Sequence, residues 1–259
     1  MQLVLRQVQD RTGIVSLNHA AKRNALSRNL IEELIGALSE MKAASVRSVI
    51  LRAEPGAAVW SAGHDVTELP TSGRDPLSYD DPLRRVVRSI ELLPMPVIAM
   101  IEGSVWGGAC ELAMTCDLTI ATPEVTFAFT PTRLGVPYNT AGIVNMMKSI
   151  GVPLLKEMLF TARPISAERA LRLGMINDVV PSDELEGFTG QLADQIAETS
   201  PMCVTLMKEE LRILSKSRPM SAETFERLQG QRRHVYDSRD YREGIQSFLE
   251  KRRPEFTGE

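Results

Sequence analysis

The chain has 259 residues and sets 30 Lys and Arg against 33 Asp and Glu, so at a formal net charge of -3 it carries no overall basic field that would gather nucleic acid. Its longest apolar run, "LLPMPVIAMI" between Glu91 and Glu102, has ten residues and two prolines, too short to span hydrocarbon, and Arg6 and Asp10 interrupt the N-terminus where a signal peptide needs an apolar stretch. Cys110, Cys116 and Cys203 form neither an even disulfide set nor a CxxC pair, and His19, His64 and His234 are too scattered for a sequence-local metal site, so a soluble cytoplasmic protein without a metal is expected.

Taken in chain order, "GIVSLN" and "RSVILRAE" read as strands. Between them Ser27 is placed to cap a helix whose Leu30, Ile31, Leu34, Ile35 and Leu38 recur at helical spacing. "PTSGRDPLSYDDP", residues 70 to 82, is the most loop-like stretch. "DPLRRVVRSIELLP" then carries Leu83, Val86, Val87, Ile90 and Leu93 on one helical face, "PVIAMIEG" reads as a buried strand, and "ACELAMTC" as a helix. "DLTIA" and "TFAFT" follow as short strands, and the strand–helix–strand alternation predicts βαβ units with parallel sheets. Beyond about residue 140 the strand signals fade. "SAERALRLG" predicts a helix with Ser166 at its start and Gly174 just past its end, and residues 183 to 199, 201 to 215 and 221 to 251 continue as helices closed by Pro254.

Two segments carry chemical information. In "IEGSVWGGACELAM" a strand ends at Gly103, and Gly107 and Gly108 let the backbone approach a ligand where a helix begins. Amide hydrogens at such a helix start suit a developing negative oxygen. In "WSAGHDVTELP" Gly63 and His64 offer a second amide at a similar junction, although a histidine taken alone more often caps or packs than catalyses. Two such turns together fit an oxyanion hole, which needs two donors on one oxygen. No GxGxxG follows a strand, no GxxxxGK[ST] is present, and "GSVWG" is not the GxSxG nucleophile elbow.

The ordered set "AKRNALS", "SAGHD", "EGSVWGGACELAMTCDL", "LGVPYN" and "YREGIQSFLEKRRPEF" resembles the crotonase (enoyl-CoA hydratase/isomerase) superfamily over essentially the whole chain. The resemblance implies an α/β fold with a ββα spiral core, residues 1–195, that holds the acyl-CoA site. Residues 196–259 are then a helical C-terminal trimerisation region, giving a homotrimer or a hexamer built as a dimer of trimers. It also implies an acyl-CoA thioester partner, no membrane or nucleic-acid partner, and no cofactor beyond the coenzyme A of the substrate. Carried over by position, the oxyanion donors are the amides of His64 and Gly108. Lys22, Arg23, Ala25 and Leu26 resemble the segment along bound CoA, and Phe248 and Lys251 resemble positions reaching its nucleotide end. Ala62, Gly63, Asp65, Val66, Gly107 and Thr130 complete the implied substrate contacts.

Hydratases of this family carry one glutamate three residues after the glycine donor, matched by Glu111, and another four residues before a glycine, where this chain has Pro131. No Asp or Glu occurs between Glu124 and Glu157. Water addition needs a positioned acid and base. Decarboxylation of a malonyl-type thioester needs an enolate held by two amides, and a second site carboxylate would repel the substrate. "SGRDPLSYDDPLR", "SVWGG" and "TPTRLGVPYN" resemble the branch that decarboxylates methylmalonyl-CoA to propionyl-CoA and CO2, with Tyr138 the expected neutral donor to the departing carboxylate. Arg133 brings a cation into this stretch, to pair with a carboxylate or to point to solvent. Glu111 is retained as a supporting group or a proton donor. The alternatives are a hydratase or isomerase working with Glu111 alone and a non-catalytic acyl-CoA-binding protein.

Overall fold

Four successive strand–strand–helix units build the first part of the chain in the computed structural model, which describes residues 1–69, 80–215 and 221–258. They are β1 (Val4–Gln9), β2 (Thr12–Leu17) and α1 (Arg28–Ala43); β3 (Ser48–Ala53), β4 (Val59–Ser61) and α2 (Pro82–Glu91); β5 (Val97–Ile101), β6 (Ser104–Trp106) and α3 (Gly108–Thr115); β7 (Leu118–Ala121), β8 (Thr126–Ala128) and α4 (Thr140–Ser149). After them come α5 (Val152–Thr161), β9 (Ile165–Ser166), α6 (Ala167–Arg172), β10 (Asp178–Val179), α7 (Leu185–Glu198), α8 (Pro201–Leu214), α9 (Ala222–Asp237) and α10 (Arg239–Leu249).

From the second unit onward each unit gives its first strand to one sheet and its second strand to another. The six-stranded sheet runs β1-β2-β3-β5-β7-β10 and the four-stranded sheet β4-β6-β8-β9. Both are parallel apart from the edge strands β1 and β9. Every residue of β3 and β5 is buried, which is why Val97–Ile101 and the Val49–Leu51 centre of β3 read as apolar runs without alternation. One face of the large sheet packs on α1, α2 and α3; Ile50, Ile98, Met100 and Ile120 on the other meet Leu185 and Ala193 of α7.

Local signals set the helix starts. The Ser27 hydroxyl accepts the Leu30 amide at 3.4 Å, and Leu30, Ile31, Leu34 and Leu38 of α1 are buried as their spacing predicts. Asp81 caps α2 by accepting the amides of Leu83 at 2.9 Å and Arg84 at 3.4 Å, with Pro82 at the first helical position. Ser166 caps α6, and Gly174 follows its end in the left-handed region.

Three features differ from the sequence reading. The strand β1 was not anticipated. It is an edge strand whose last four residues are exposed, so its sequence lacks a long apolar run. The short strands β9 and β10 lie where strand signals had faded. The helix expected over 221 to 251 breaks at Ser238, whose extended backbone ends α9 and whose hydroxyl accepts the Tyr241 amide at 3.1 Å to start α10. Of the loop read at 70 to 82, residues 70–79 lie outside the described residues.

The C-terminal helices brace the loop after β8. Gly244 of α10 lies against the backbone of Leu134 and Gly135 with no room for a Cβ, and the Tyr236 hydroxyl donates to the Pro137 carbonyl at 3.3 Å. By contrast α8 exposes Met202, Leu206, Met207, Leu211 and Leu214. Among the described residues no helix is long and apolar enough to cross a membrane.

Cys110 and Cys116 are buried free thiols, and Cys203 is exposed. Burial pushes the Cys110 thiol up to about 12 and Cys116 higher still, so neither supplies thiolate near neutrality. A thiol-reactive dye at pH 8 is therefore expected to titrate at most Cys203 in the native protein and all three thiols after denaturation.

Candidate active site

The order of the small sheet creates the site. Its parallel strands β4, β6 and β8 are neighbours, so the loops leaving their C-terminal ends, at residues 62, 107 and 129, emerge side by side. The first carries Gly63 and His64, the second Gly107 and Gly108, and the third Thr130 and Tyr138.

The first two loops nearly touch. Gly63 has φ +80, and a Cβ there would lie 2.9 Å from the Gly108 nitrogen and collide with the Trp106 carbonyl. A Cβ on Gly108 would lie 3.7 Å from the His64 nitrogen. Gly108 opens α3, so its amide has no carbonyl partner within the helix, and among the described residues neither this amide nor that of His64 is spent on a backbone carbonyl. Gly107, at φ +53, turns the chain from β6 into α3.

The segment from Lys22 to Leu26 is fastened to the first loop. Ala62 donates to the Arg23 carbonyl at 2.9 Å, Leu26 donates to the Gly63 carbonyl at 2.8 Å, and Leu26 forms a parallel bridge with His64. Asn24 is the pin. Its side chain accepts from the His19 amide at 2.8 Å and donates to the Trp60 carbonyl at 3.1 Å, while its own carbonyl accepts from Ser61 Oγ at 2.7 Å. Arg23 and Asn24 hold left-handed backbone for this purpose.

Behind the glycine turns lies a buried ionic group. Glu111, one turn into α3 and fully buried, pairs through Oε1 with Arg84 Nη1, and Oε2 accepts the Tyr138 hydroxyl at 2.7 Å. Burial pushes the Glu111 carboxyl above its ordinary range, against the opposing pull of Arg84 and the Tyr138 hydrogen bond. Burial and the neighbouring Glu111 charge push the Tyr138 phenol well up, so it is neutral at any working pH. Asp81 is raised by burial as well, opposed by the charges of His64 and Arg84. The Tyr138 ring packs edge-to-face on Phe129 at 5.9 Å. Gly142 supplies the space: a Cβ there would stand 2.5 Å from the Tyr138 ring and 2.8 Å from Glu111 Oε2.

The structure thus brings together Ala62, Gly63, His64, Gly107, Gly108, Glu111, Thr130 and Tyr138, with Ala25 and Leu26 beside the first loop. Thr130 Oγ1 would lie 3.6 Å from a Cβ on Gly107. Asp65 caps the 3₁₀ turn that begins at Val66; burial raises its carboxyl, but the bonds from Thr67 and the charge of Lys22 outweigh that and leave it lowered. Lys22 and Arg23 are exposed. Phe248 and Lys251 stand exposed at the end of α10, and it is Gly244 of that helix that touches the third loop. Pro131 begins a 3₁₀ turn, Pro131–Leu134, where the second hydratase glutamate would stand. Arg133 is exposed and pairs with no carboxylate among the described residues; its Nη2 donates to the Ala162 carbonyl at 2.7 Å. Sequence reasoning missed Arg84, Asp81, Asn24 and Gly142. The available signal was Arg84's position three residues before Val87, beside the apolar stripe of α2.

Comparison with known proteins agrees with this geometry. A family model described as enoyl-CoA hydratase/isomerase matches residues 9–259. The methylmalonyl-CoA decarboxylase of Escherichia coli (strain K12) is 51% identical over 249 residues, 96% of this chain and 95% of that protein. A probable enoyl-CoA hydratase of Bacillus subtilis (strain 168) is 33% identical, covering 93% of each chain. A solved structure of methylmalonyl-CoA decarboxylase in complex with 2-nitronate-propionyl-CoA superposes with a TM-score of 0.98 at 50% identity, over 100% of this chain and 99% of that one. The fold is therefore the crotonase-like α/β fold.

Gly63→Ala forces a methyl group between the two amides, so turnover is expected to fall about 10²-fold or more. Gly56→Ala is the control: it carries a similar φ, +78, but faces open space, and it should keep its activity. Steady-state kinetics of both variants, with melting curves to confirm folding, check this.

Proposed function

The chain belongs to the enoyl-CoA hydratase/isomerase family, and on that footing we propose that it decarboxylates methylmalonyl-CoA to propionyl-CoA and CO2. The observation that carries the reading is the state of its carboxylates. One of the two hydratase positions is Pro131, and at the other both oxygens of Glu111 are taken up, by Arg84 and by Tyr138. No acid–base pair is left for adding water. The activity of the Escherichia coli relative supports the same conclusion.

In the proposed reaction the thioester oxygen lies between the amides of His64 and Gly108. The Cα–carboxylate bond breaks, CO2 departs, and the electron pair passes through Cα onto the thioester oxygen. The resulting enolate is held by the two amides and the N-terminus of α3. A proton taken up at Cα then gives propionyl-CoA. Negative charge moves from carboxylate to thioester oxygen along this path, so a cation on the carboxylate would stabilise the ground state more than the transition state. Arg84, neutralised by Glu111, does not exert that effect. Neutral groups orient the carboxylate instead, namely Thr130 and Tyr138, the latter lending its hydroxyl to the substrate carboxylate and returning it to Glu111 once CO2 has left, while Arg84 keeps its hold on Glu111. The route calls for no cofactor beyond the coenzyme A of the substrate, along which Lys22, Ala25 and Leu26 are proposed to lie.

Residues 196–259 are proposed as the association region of a homotrimer or hexamer, with the apolar face of α8 covered by another subunit. Two observations support this: the row of exposed Met and Leu side chains on α8, and the exposure of Phe248, too large an apolar area for one chain to leave in water.

Purified protein supplied with methylmalonyl-CoA should release propionyl-CoA, read by mass, and should hydrate crotonyl-CoA poorly; hydration without decarboxylation would overturn the reading. Tyr138→Phe should lower kcat by about 10- to 100-fold, the worth of one hydrogen bond to a charged group, with KM little changed. Sedimentation should give three or six copies, and Leu211→Glu on α8 should shift the protein toward smaller species.

A further inference from the structure

Glu111 stands one helical turn behind the Gly108 amide, within the group of side chains that includes Tyr138. With a thioester oxygen on that amide, a carboxylate one helical turn away is placed to act as a base toward an α-proton, of which propionyl-CoA carries two. Asp81 caps α2 through the amides of Leu83 and Arg84, and Leu83 packs against Gly108, so the first turn of α2 is fixed over α3. From that turn Arg84 reaches Glu111 Oε1, while Tyr138 occupies Oε2 and Gly142 leaves the room for both.

We propose that Arg84 is a specificity-determining positioning residue: by keeping Glu111 occupied, it restricts enolate formation to loss of CO2 and blocks abstraction of the α-proton from the product. Among the described residues, the charged and titratable groups that face Glu111 are Arg84 and Asp81 from α2 and Tyr138 from the third loop, and His64 faces Asp81 in turn. With Arg84 removed, a Glu111 oxygen takes the α-proton of propionyl-CoA, the C–H electron pair enters the enolate, and the two amides hold its oxygen. In D2O the carboxyl proton exchanges with solvent, and return of a deuteron to Cα gives α-deuterated propionyl-CoA. No further reagent is needed.

The inference rests on the decarboxylase reading, but the two fail separately. Absence of propionyl-CoA from methylmalonyl-CoA sinks the reading, whereas the inference is read on propionyl-CoA itself. The experiment incubates the full-length protein with propionyl-CoA in D2O and follows mass gain. The unmodified protein is expected to exchange at least about 10²-fold more slowly than it decarboxylates. Arg84→Met should exchange at least about 10-fold faster than the unmodified protein. Its rate should rise with pH, because burial raises a carboxyl that has lost its cation, and only the ionised form acts as base. Arg84→Lys should restore the low rate, and Glu111→Gln added to Arg84→Met should abolish the gain. Should Arg84→Met fail to fold, Arg84→Gln is read in the same way. Exchange by the unmodified protein as fast as its decarboxylation and lost in Glu111→Gln would overturn the proposal. So would a folded Arg84→Met no faster than the unmodified protein.

Discussion

The proposed reaction requires two amide hydrogens to meet at one oxygen, and chain topology is what brings two suitable loops side by side. Because β4, β6 and β8 are adjacent and parallel, their outgoing loops share one end of the small sheet. Gly63 and Gly107 then bring the His64 and Gly108 amides within touching distance, in backbone conformations that a side chain would obstruct. The strand–strand–helix repeat supplies one loop per turn of the spiral, and the rest of the site is arranged around the two that nearly touch. Even the C-terminal helices serve this arrangement, since α10 presses on the turn before Tyr138 through Gly244.

The second constraint is electrostatic. A buried carboxylate costs several kcal/mol to ionise without a partner, and Glu111 is fully buried. Arg84 offsets that cost, and the phenol of Tyr138 satisfies the remaining oxygen. Among the described residues, the charges of Arg84 and Glu111 behind the glycine turns are thus paired with each other. Such surroundings suit a reaction in which the substrate's own charge migrates, since a fixed counter-charge at the departing carboxylate would oppose the movement. The missing glutamate at Pro131 and the occupied glutamate at 111 thus act in the same direction.

Much of this was legible in the sequence, where backbone conformation depends on single residues. Gly63, Gly107 and Gly108 mark both turns, Ser27 and Ser166 start their helices, and the buried runs in β3 and β5 announce a parallel sheet. Contacts between elements were hidden. Arg84 and Glu111 are 27 residues apart on different helices, and neither periodicity nor capping rules report where a guanidinium points. Asn24 reads as an ordinary loop residue until its bonds to His19, Trp60 and Ser61 are seen. Arg133 looked like a charge in the site because sequence gives position without direction; it turns to the Ala162 carbonyl. The edge strand β1 escaped because its exposed residues had no need to be apolar.

In the proposed reaction the carbon–carbon bond breaks with no proton in flight, and the charge passes straight to an oxygen held by two amides. The most direct measurement is the carbon-13 isotope effect at the carboxyl carbon of methylmalonyl-CoA, determined in H2O and in D2O. A clear carbon isotope effect of the same size in both solvents is expected, with a rate of CO2 release that does not depend on solvent deuterium. A CO2-release rate slowed by D2O, with the carbon effect suppressed or enhanced in step, would mean that an acid or base takes part in bond breaking and would contradict the proposed reaction.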